Sequence, residues 1–204
     1  MSFFYRLIYS VGVTPWEKMA KLPAAKQIDG LFDREQEGRE PPYGKALDLG
    51  CGSGIWSVNL AQRGWDVTGV DNVDKAVRRA RERAQQAGVE ARFAEADVTA
   101  LGAAGIGDGF RLLLDFGMIH GLSEEQRDAA GREITAVAAP DAALLILAFP
   151  PARRGPLPRG MSHDEIMVAF REWETADQHK LDTTGAPRPV RKAGPTIYRL
   201  RRGG

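Results

Sequence analysis

Asp48-Leu-Gly50-Cys51-Gly52-Ser-Gly54 is the stretch that most restricts how this chain can fold. Glycines at alternate positions let a backbone turn tightly and come close to a ligand, because no Cβ stands in the way. The run before them, residues 45–49 (KALDL), reads as a buried strand, and residues 55–63 after them have helical character. Strand, tight loop and helix in that order place the loop against a nucleotide-like ligand. The dinucleotide form of such a loop, Gly-x-Gly-x-x-Gly, needs glycine at position 55, where this chain has Ile55, so NAD and FAD are disfavoured. No Lys-Ser or Lys-Thr pair closes the loop, which argues against a P-loop for nucleoside triphosphates.

The alternation of short apolar runs with longer charged, helix-period stretches continues to about residue 150, the pattern of βα units that build a parallel sheet. A second strand is expected over residues 66–71, so that Asp71 sits where strand becomes loop. Residues 73–87 carry Ala76, Val77, Ala80 and Ala84 at helical spacing, with Gly88 as the terminator. Residues 91–96 form a third strand that ends at Asp97, and residues 110–115 a fourth that ends at Asp115 and runs into a loop over 116–122. Ser123 with Gln126 makes a capping box for a helix to about Ala138, and residues 142–149 make a fifth strand stopped by Pro150 and Pro151. Beyond an unpatterned loop rich in proline, glycine and arginine, Ser162 with Glu165 caps a helix expected to reach about Trp173. Two further strands are expected near 174–181 and 196–201. The tail from 188 to 204 holds Arg188, Arg191, Lys192, Arg199, Arg201 and Arg202 with no acid, and reads as a solvated edge strand.

A length of 204 residues fits one core preceded by an extension of about 40 residues. Lys and Arg total 28 against 27 Asp and Glu, so no global field of one sign gathers a polyanion, which argues against nucleic acid as a partner. A single cysteine, Cys51, excludes an internal disulfide and a cysteine-rich zinc site and suits a reducing, cytoplasmic setting. Arg6 interrupts the apolar start of the chain, which does not read as a signal peptide. The longest clean apolar run, residues 142–151, is about half of the ~20 residues a membrane helix needs, so no membrane association is expected.

The glycine loop and the strand-end pair Val70-Asp71 resemble motifs I and II of class I S-adenosylmethionine-dependent methyltransferases. Asp71 lies 71 − 54 = 17 residues after the last glycine, near the spacing at which such folds place an acid on a ribose. The resemblance covers residues 45–150 and implies a Rossmann-like α/β fold, with a seven-stranded, mostly parallel sheet flanked by helices. It implies S-adenosylmethionine as cofactor, S-adenosylhomocysteine as product and a small-molecule acceptor. Under it, Gly50, Gly52 and Gly54 face the methionine moiety, Asp71 and Asn72 the ribose, and Asp97 with Val98 the adenine. Asp48 steadies the loop or the cofactor's amino group, Cys51 packs under the cofactor, and Phe116 beside Asp115 completes the cofactor-facing set. Val13-Thr-Pro-Trp16-Glu17, Leu22-Pro23 and the stretch 156–162 resemble the thiopurine, thiol or halide, and tellurite-resistance branch, in which an N-terminal helix and its tryptophan, here Trp16, cover the cofactor. Trp16 can equally be core filler for the extension.

His120 and Asp115 are the candidate catalytic residues, placed just beyond the fourth strand at the edge where open α/β sheets hold ligands. His120 could take an acceptor's proton or simply pack in the loop, and Asp115 could instead steady that loop through backbone N–H bonds. His163 and His179 read as surface, and three scattered histidines make no metal site. Oxygen is favoured slightly over sulfur as the acceptor atom. S-methylation of thiols or halide is the alternative, ahead of nucleic-acid or protein methylation and of a non-catalytic cofactor-binding module. A monomer and a homodimer are both compatible with the sequence.

Overall fold

A computed structural model describes residues 23–152 and 159–203. Five parallel strands, β1 (Lys45–Leu49), β2 (Asp66–Asp71), β3 (Arg92–Glu95), β4 (Phe110–Asp115) and β5 (Ala138–Ala148), are extended by the antiparallel pair β6 (Trp173–Lys180) and β7 (Thr196–Arg202). The sheet order is β3-β2-β1-β4-β5-β7-β6. Strands are added outward in one direction from β1 to β3 and in the other from β4 onward, so the strand order switches between the parallel neighbours β1 and β4, and such a switch point opens a crevice at their carboxyl ends.

Alternation along the central strands supplies two cores. Leu112, Leu114, Ala143 and Leu145 face one side and pack with Ala24, Ile28, Leu31 and Phe32 of α1 (Pro23–Gln36) and Leu60 of α2 (Ile55–Arg63). Leu113, Leu144 and Ile146 face the other and pack with Ala130 and Ile134 of α4 (Glu124–Val137) and Ile166 of α5 (His163–Ala169). Between them in chain order, α3 (Asp74–Ala87) lays Ala76, Val77, Ala80 and Ala84 inward and ends at Gly88 in the left-handed region, as its spacing predicts. Both expected capping boxes form, Ser123 with Gln126 and Ser162 with Glu165.

Three boundaries differ from the sequence reading. The last strand is not an edge: β7 lies between β5 and β6, and the short helix α6 (Arg188–Ala193) occupies the start of the basic tail. Ile197, Arg199 and Arg201 point toward α1, where Arg199 Nε donates to Glu35 Oε1 at 2.5 Å and Arg201 lies 3.3 Å from Glu35 Oε2. A buried acid on α1 therefore gives this arginine-rich strand an interior partner. Helix α5 stops at Ala169 rather than near Trp173, because Trp173 opens β6 and its indole N–H donates to Thr135 Oγ1 at 2.8 Å in the core. Strand β5 starts at Ala138, four residues earlier than expected, with Ala138 paired to Phe110 ahead of a register shift.

No helix among the described residues is long and apolar enough to cross a membrane.

Arg199 and Glu35 are 8% and 5% exposed, so removing one partner leaves a buried, uncompensated charge. Glu35→Ala is expected to cost about 3–5 kcal/mol in urea unfolding. The double variant Glu35→Leu/Arg199→Met should recover most of that loss.

Candidate functional site

The carboxyl edges of β1, β2 and β4 each carry a buried aspartate, the last residue of β2 and β4 and the last but one of β1, and these carboxyls hold the segments that leave the sheet. Asp71 draws the glycine loop onto β2: Oδ2 accepts from Gly52 N at 3.0 Å and Oδ1 from Val73 N at 2.9 Å. Cys51 N donates to the Val70 carbonyl at 2.9 Å, which fixes the loop at a second point. Gly50, Gly52 and Gly54 have φ of 67°, 56° and 77°, a conformation side chains rarely adopt. A Cβ on Gly50 would lie 2.7 Å from Met118 Cβ, so the loop after β4 leans directly on the glycine loop. A Cβ on Gly54 would lie 2.9 Å from Ala80 Cβ, which is why an alanine face on α3 opposes it.

Asp48 on β1 accepts from Ser57 Oγ at 2.6 Å and so ties the strand to the first turn of α2. Burial, with Asp71 and Asp115 nearby, pushes its carboxyl up to about 6, against the lowering effect of the Ser57 hydroxyl. Asp115 is fully buried, and its oxygens accept from Gly117 N (3.0 Å), Met118 N (2.7 Å) and Ile119 N (2.9 Å). Burial raises it also to about 6, against those three N–H donors. Burial pushes Asp71 up in the same direction. Asp115 thus holds its loop through three backbone donors, the steadying role that the sequence offers beside a catalytic one.

The remaining candidates fall around this edge. His120 is buried in a short 3-10 turn, Ile119–Gly121, with its ring edge-on to Phe149 at 5.7 Å. Asn72 follows Asp71, and its buried Oδ1 has no hydrogen-bond partner among the described residues. Asp97 is exposed beyond β3 and held by Thr99, whose N–H and hydroxyl keep its carboxyl below the ordinary range. Val98 is buried in the core beside Leu49 and Val70. Cys51 is buried, and burial pushes its thiol well above the ordinary value, which keeps it protonated and unreactive. Phe116 meets Trp56 edge-on at 5.6 Å and lies parallel to Phe32 at 6.4 Å, joining α1 to the site. Trp16, the segment 13–17 and the loop residues Arg153 and Arg154 lie outside the described residues. Ser57, Trp56, Met118 and Phe149 emerge only from the three-dimensional arrangement, since nothing in their local sequence pairs them with the glycine loop or with His120.

These features fit a cationic nucleoside. The glycines clear a path for a ligand, Asn72 Oδ1 awaits a donor, and the neighbouring carboxyls repel one another and favour positive charge.

Known proteins share both the sequence of this region and the fold. Residues 46–141 match the family model described as methyltransferase domain. Over that span, just under half of the chain, the sequence is similar to methyltransferase domains. It is 30% identical over 141 residues to a 2-heptyl-1-hydroxyquinolin-4(1H)-one methyltransferase of Mycobacteroides abscessus, an overlap of 66% of this chain and 60% of that protein. A ubiquinone biosynthesis O-methyltransferase of Roseobacter denitrificans is 38% identical over 80 residues, 39% of this chain and 32% of that one. The chain thus spans less than two thirds of the length of these relatives. Among solved structures, a Burkholderia thailandensis 1,6-didemethyltoxoflavin-N1-methyltransferase with bound 1,6-didemethyltoxoflavin and S-adenosylhomocysteine superposes with a TM-score of 0.74 at 23% identity, over 98% of this chain and 86% of that one. That likeness places the fold. Among the described residues no cluster of three metal-ligating side chains occurs.

A carboxyl raised from 3.8 to about 6 in the folded state gives stability that is complete below pH 4 and declines as pH rises toward 6. Asp48→Asn keeps an acceptor for Ser57 and removes that decline. Relative to the parent, it should gain up to about 3 kcal/mol between pH 4 and pH 7 in urea melts. A constant difference across that range would show that Asp48 ionises normally.

Proposed function

We propose that the protein transfers a methyl group from S-adenosylmethionine to a hydroxyl of a small molecule. The observation that carries this reading is the set of buried carboxyls, Asp48, Asp71 and Asp115, beside a glycine loop that Asp71 anchors through the Gly52 N–H. Such an edge suits a ligand that brings its own positive charge. Bound there, S-adenosylmethionine supplies an electrophilic methyl on a sulfonium centre and leaves as S-adenosylhomocysteine.

The chain's own residues supply position, exclusion of water and a proton acceptor. Asp71 retains acceptor capacity beyond its two backbone donors and takes the ribose hydroxyls, with Asn72 beside it. Asp97 and Val98 at the end of β3 take the adenine, and Gly50, Cys51, Gly52 and Gly54 line the methionine moiety. Phe116, backed by Trp56, walls the acceptor side. Holding acceptor and donor about 3 Å apart in line supplies several kcal/mol of barrier reduction, up to roughly 7–11. His120 takes the proton that a hydroxyl sheds as its oxygen forms the new bond to carbon, because it is the histidine at the carboxyl edge. A thiol, with a pKa near 8.5, leaves that step less to do, so S-methylation is the second reading. The resemblance of residues 13–17, 22–23 and 156–162 to the thiopurine, thiol or halide, and tellurite-resistance branch supports it.

The acceptor of the quinolone-directed relative is aromatic and hydroxylated by its printed name, which favours starting with phenols. Incubation with S-adenosylmethionine and a panel of phenols, sugars and thiols, read as S-adenosylhomocysteine release, tests the proposal. Release with a phenol should fall about 10²–10⁴-fold in His120→Asn, the range for loss of a general base. Full turnover in that variant removes His120 from the mechanism, and release with thiols alone moves the assignment to sulfur.

A further inference from the structure

Arg127 of α4 is a buried cation, its side chain 7% exposed, and its contacts join three separate segments. One guanidinium nitrogen, Nη2, donates to the His120 carbonyl at 3.3 Å and to the Gly160 carbonyl at 3.2 Å. The other, Nη1, donates to Glu165 Oε1 at 3.3 Å. His120 belongs to the loop after β4, Gly160 to the segment that returns after β5, and Glu165 to the first turn of α5. Glu165 is itself fixed: it accepts from Ser162 N at 2.8 Å and pairs with Arg159.

The segment after β5 is held as a narrow neck. Met161 N donates to the Phe149 carbonyl at 2.8 Å, and Ala152 N to the Arg159 carbonyl at 2.7 Å. Gly160 has φ +88°, and a Cβ there would fall 2.4 Å from the Phe149 carbonyl oxygen and 2.6 Å from that of Pro150. Only glycine fits, so the carbonyl that Arg127 grips has a fixed place. Phe149, at the base of the same neck, supplies the ring against which His120 stands edge-on. Both sides of the His120–Phe149 contact are thereby tied to one guanidinium.

Burying a guanidinium costs free energy, and burial pushes the Arg127 pKa down against the pull of Glu165. An apolar side chain of the same length would fill the space at less cost but could not hold two carbonyls and a carboxylate in one plane. We infer that Arg127 is a positioning residue: it locks the loop after β4 to the neck after β5 and so sets the single orientation of the His120 imidazole against Phe149. This rests on the proposed reading of His120 as the group that meets the acceptor's proton. It places control of that orientation on α4, a helix outside the glycine loop.

The test is the His120 Cε1–Hε1 cross-peak in the NMR spectrum of the full chain, assigned by its loss in His120→Asn. In Arg127→Met the peak is expected to move or to broaden beyond detection, while that of His179 on β6 stays in place. A His120 peak at its parental position and width in the folded variant would overturn the inference. Arg127→Gln, which keeps a polar side chain, is measured by the same criterion if the methionine variant does not fold. Titration of the same samples with S-adenosylhomocysteine separates the two claims. A parent that binds no S-adenosylhomocysteine defeats the methyl-transfer reading, and the cross-peak still decides whether Arg127 braces the loops.

Discussion

Burying carboxyl groups side by side is expensive, and the carboxyl edge of this sheet buries three. Asp48, Asp71 and Asp115 lie at the carboxyl edge of adjacent strands, and burial raises all three. Their compensation comes from backbone N–H groups and one hydroxyl rather than from cations: Gly52 and Val73 for Asp71, Gly117, Met118 and Ile119 for Asp115, Ser57 for Asp48. Each acid thereby dictates the path of the loop that leaves its strand. A single electrostatic constraint shapes the glycine loop, the turn that carries His120 and the start of α2.

Two further anchors hold what surrounds that edge. On one face of the sheet, Glu35 of α1 receives Arg199 and Arg201 from β7, and Phe32, Trp56 and Phe116 extend the same helix toward the site. On the other, Arg127 joins the loop after β4 to the neck after β5. The buried ion pairs thus sit where chain segments distant in sequence must keep a fixed relation, and where apolar packing alone would allow sliding.

What could be read from the residues was local. The glycine loop, the strand-end acids, the alanine face of α3 with Gly88, and the two capping boxes all announce themselves within a few positions, because the physics behind them acts over one turn or one strand. The interior place of β7 could not be read this way. Its arginines resemble edge protection, and only Glu35, 164 residues away, makes Arg199 a buried group. The early stop of α5 depends on Thr135 accepting from Trp173, a contact across 38 residues. Asp115 carried the same sequence signature whether it served chemistry or its loop, and its three backbone donors within that loop appear only in three dimensions. The cofactor-facing set was legible as a set of types, while the brace at Arg127 was invisible on an amphipathic helix.

The central claim is that the carboxyl edge receives a positively charged nucleoside cofactor, and calorimetric titration of the purified protein tests it most directly. S-adenosylmethionine and S-adenosylhomocysteine should both bind with dissociation constants of about micromolar order, and NADH in the same buffer should give no binding heat. Binding of NADH, or of none of the three, would contradict the account.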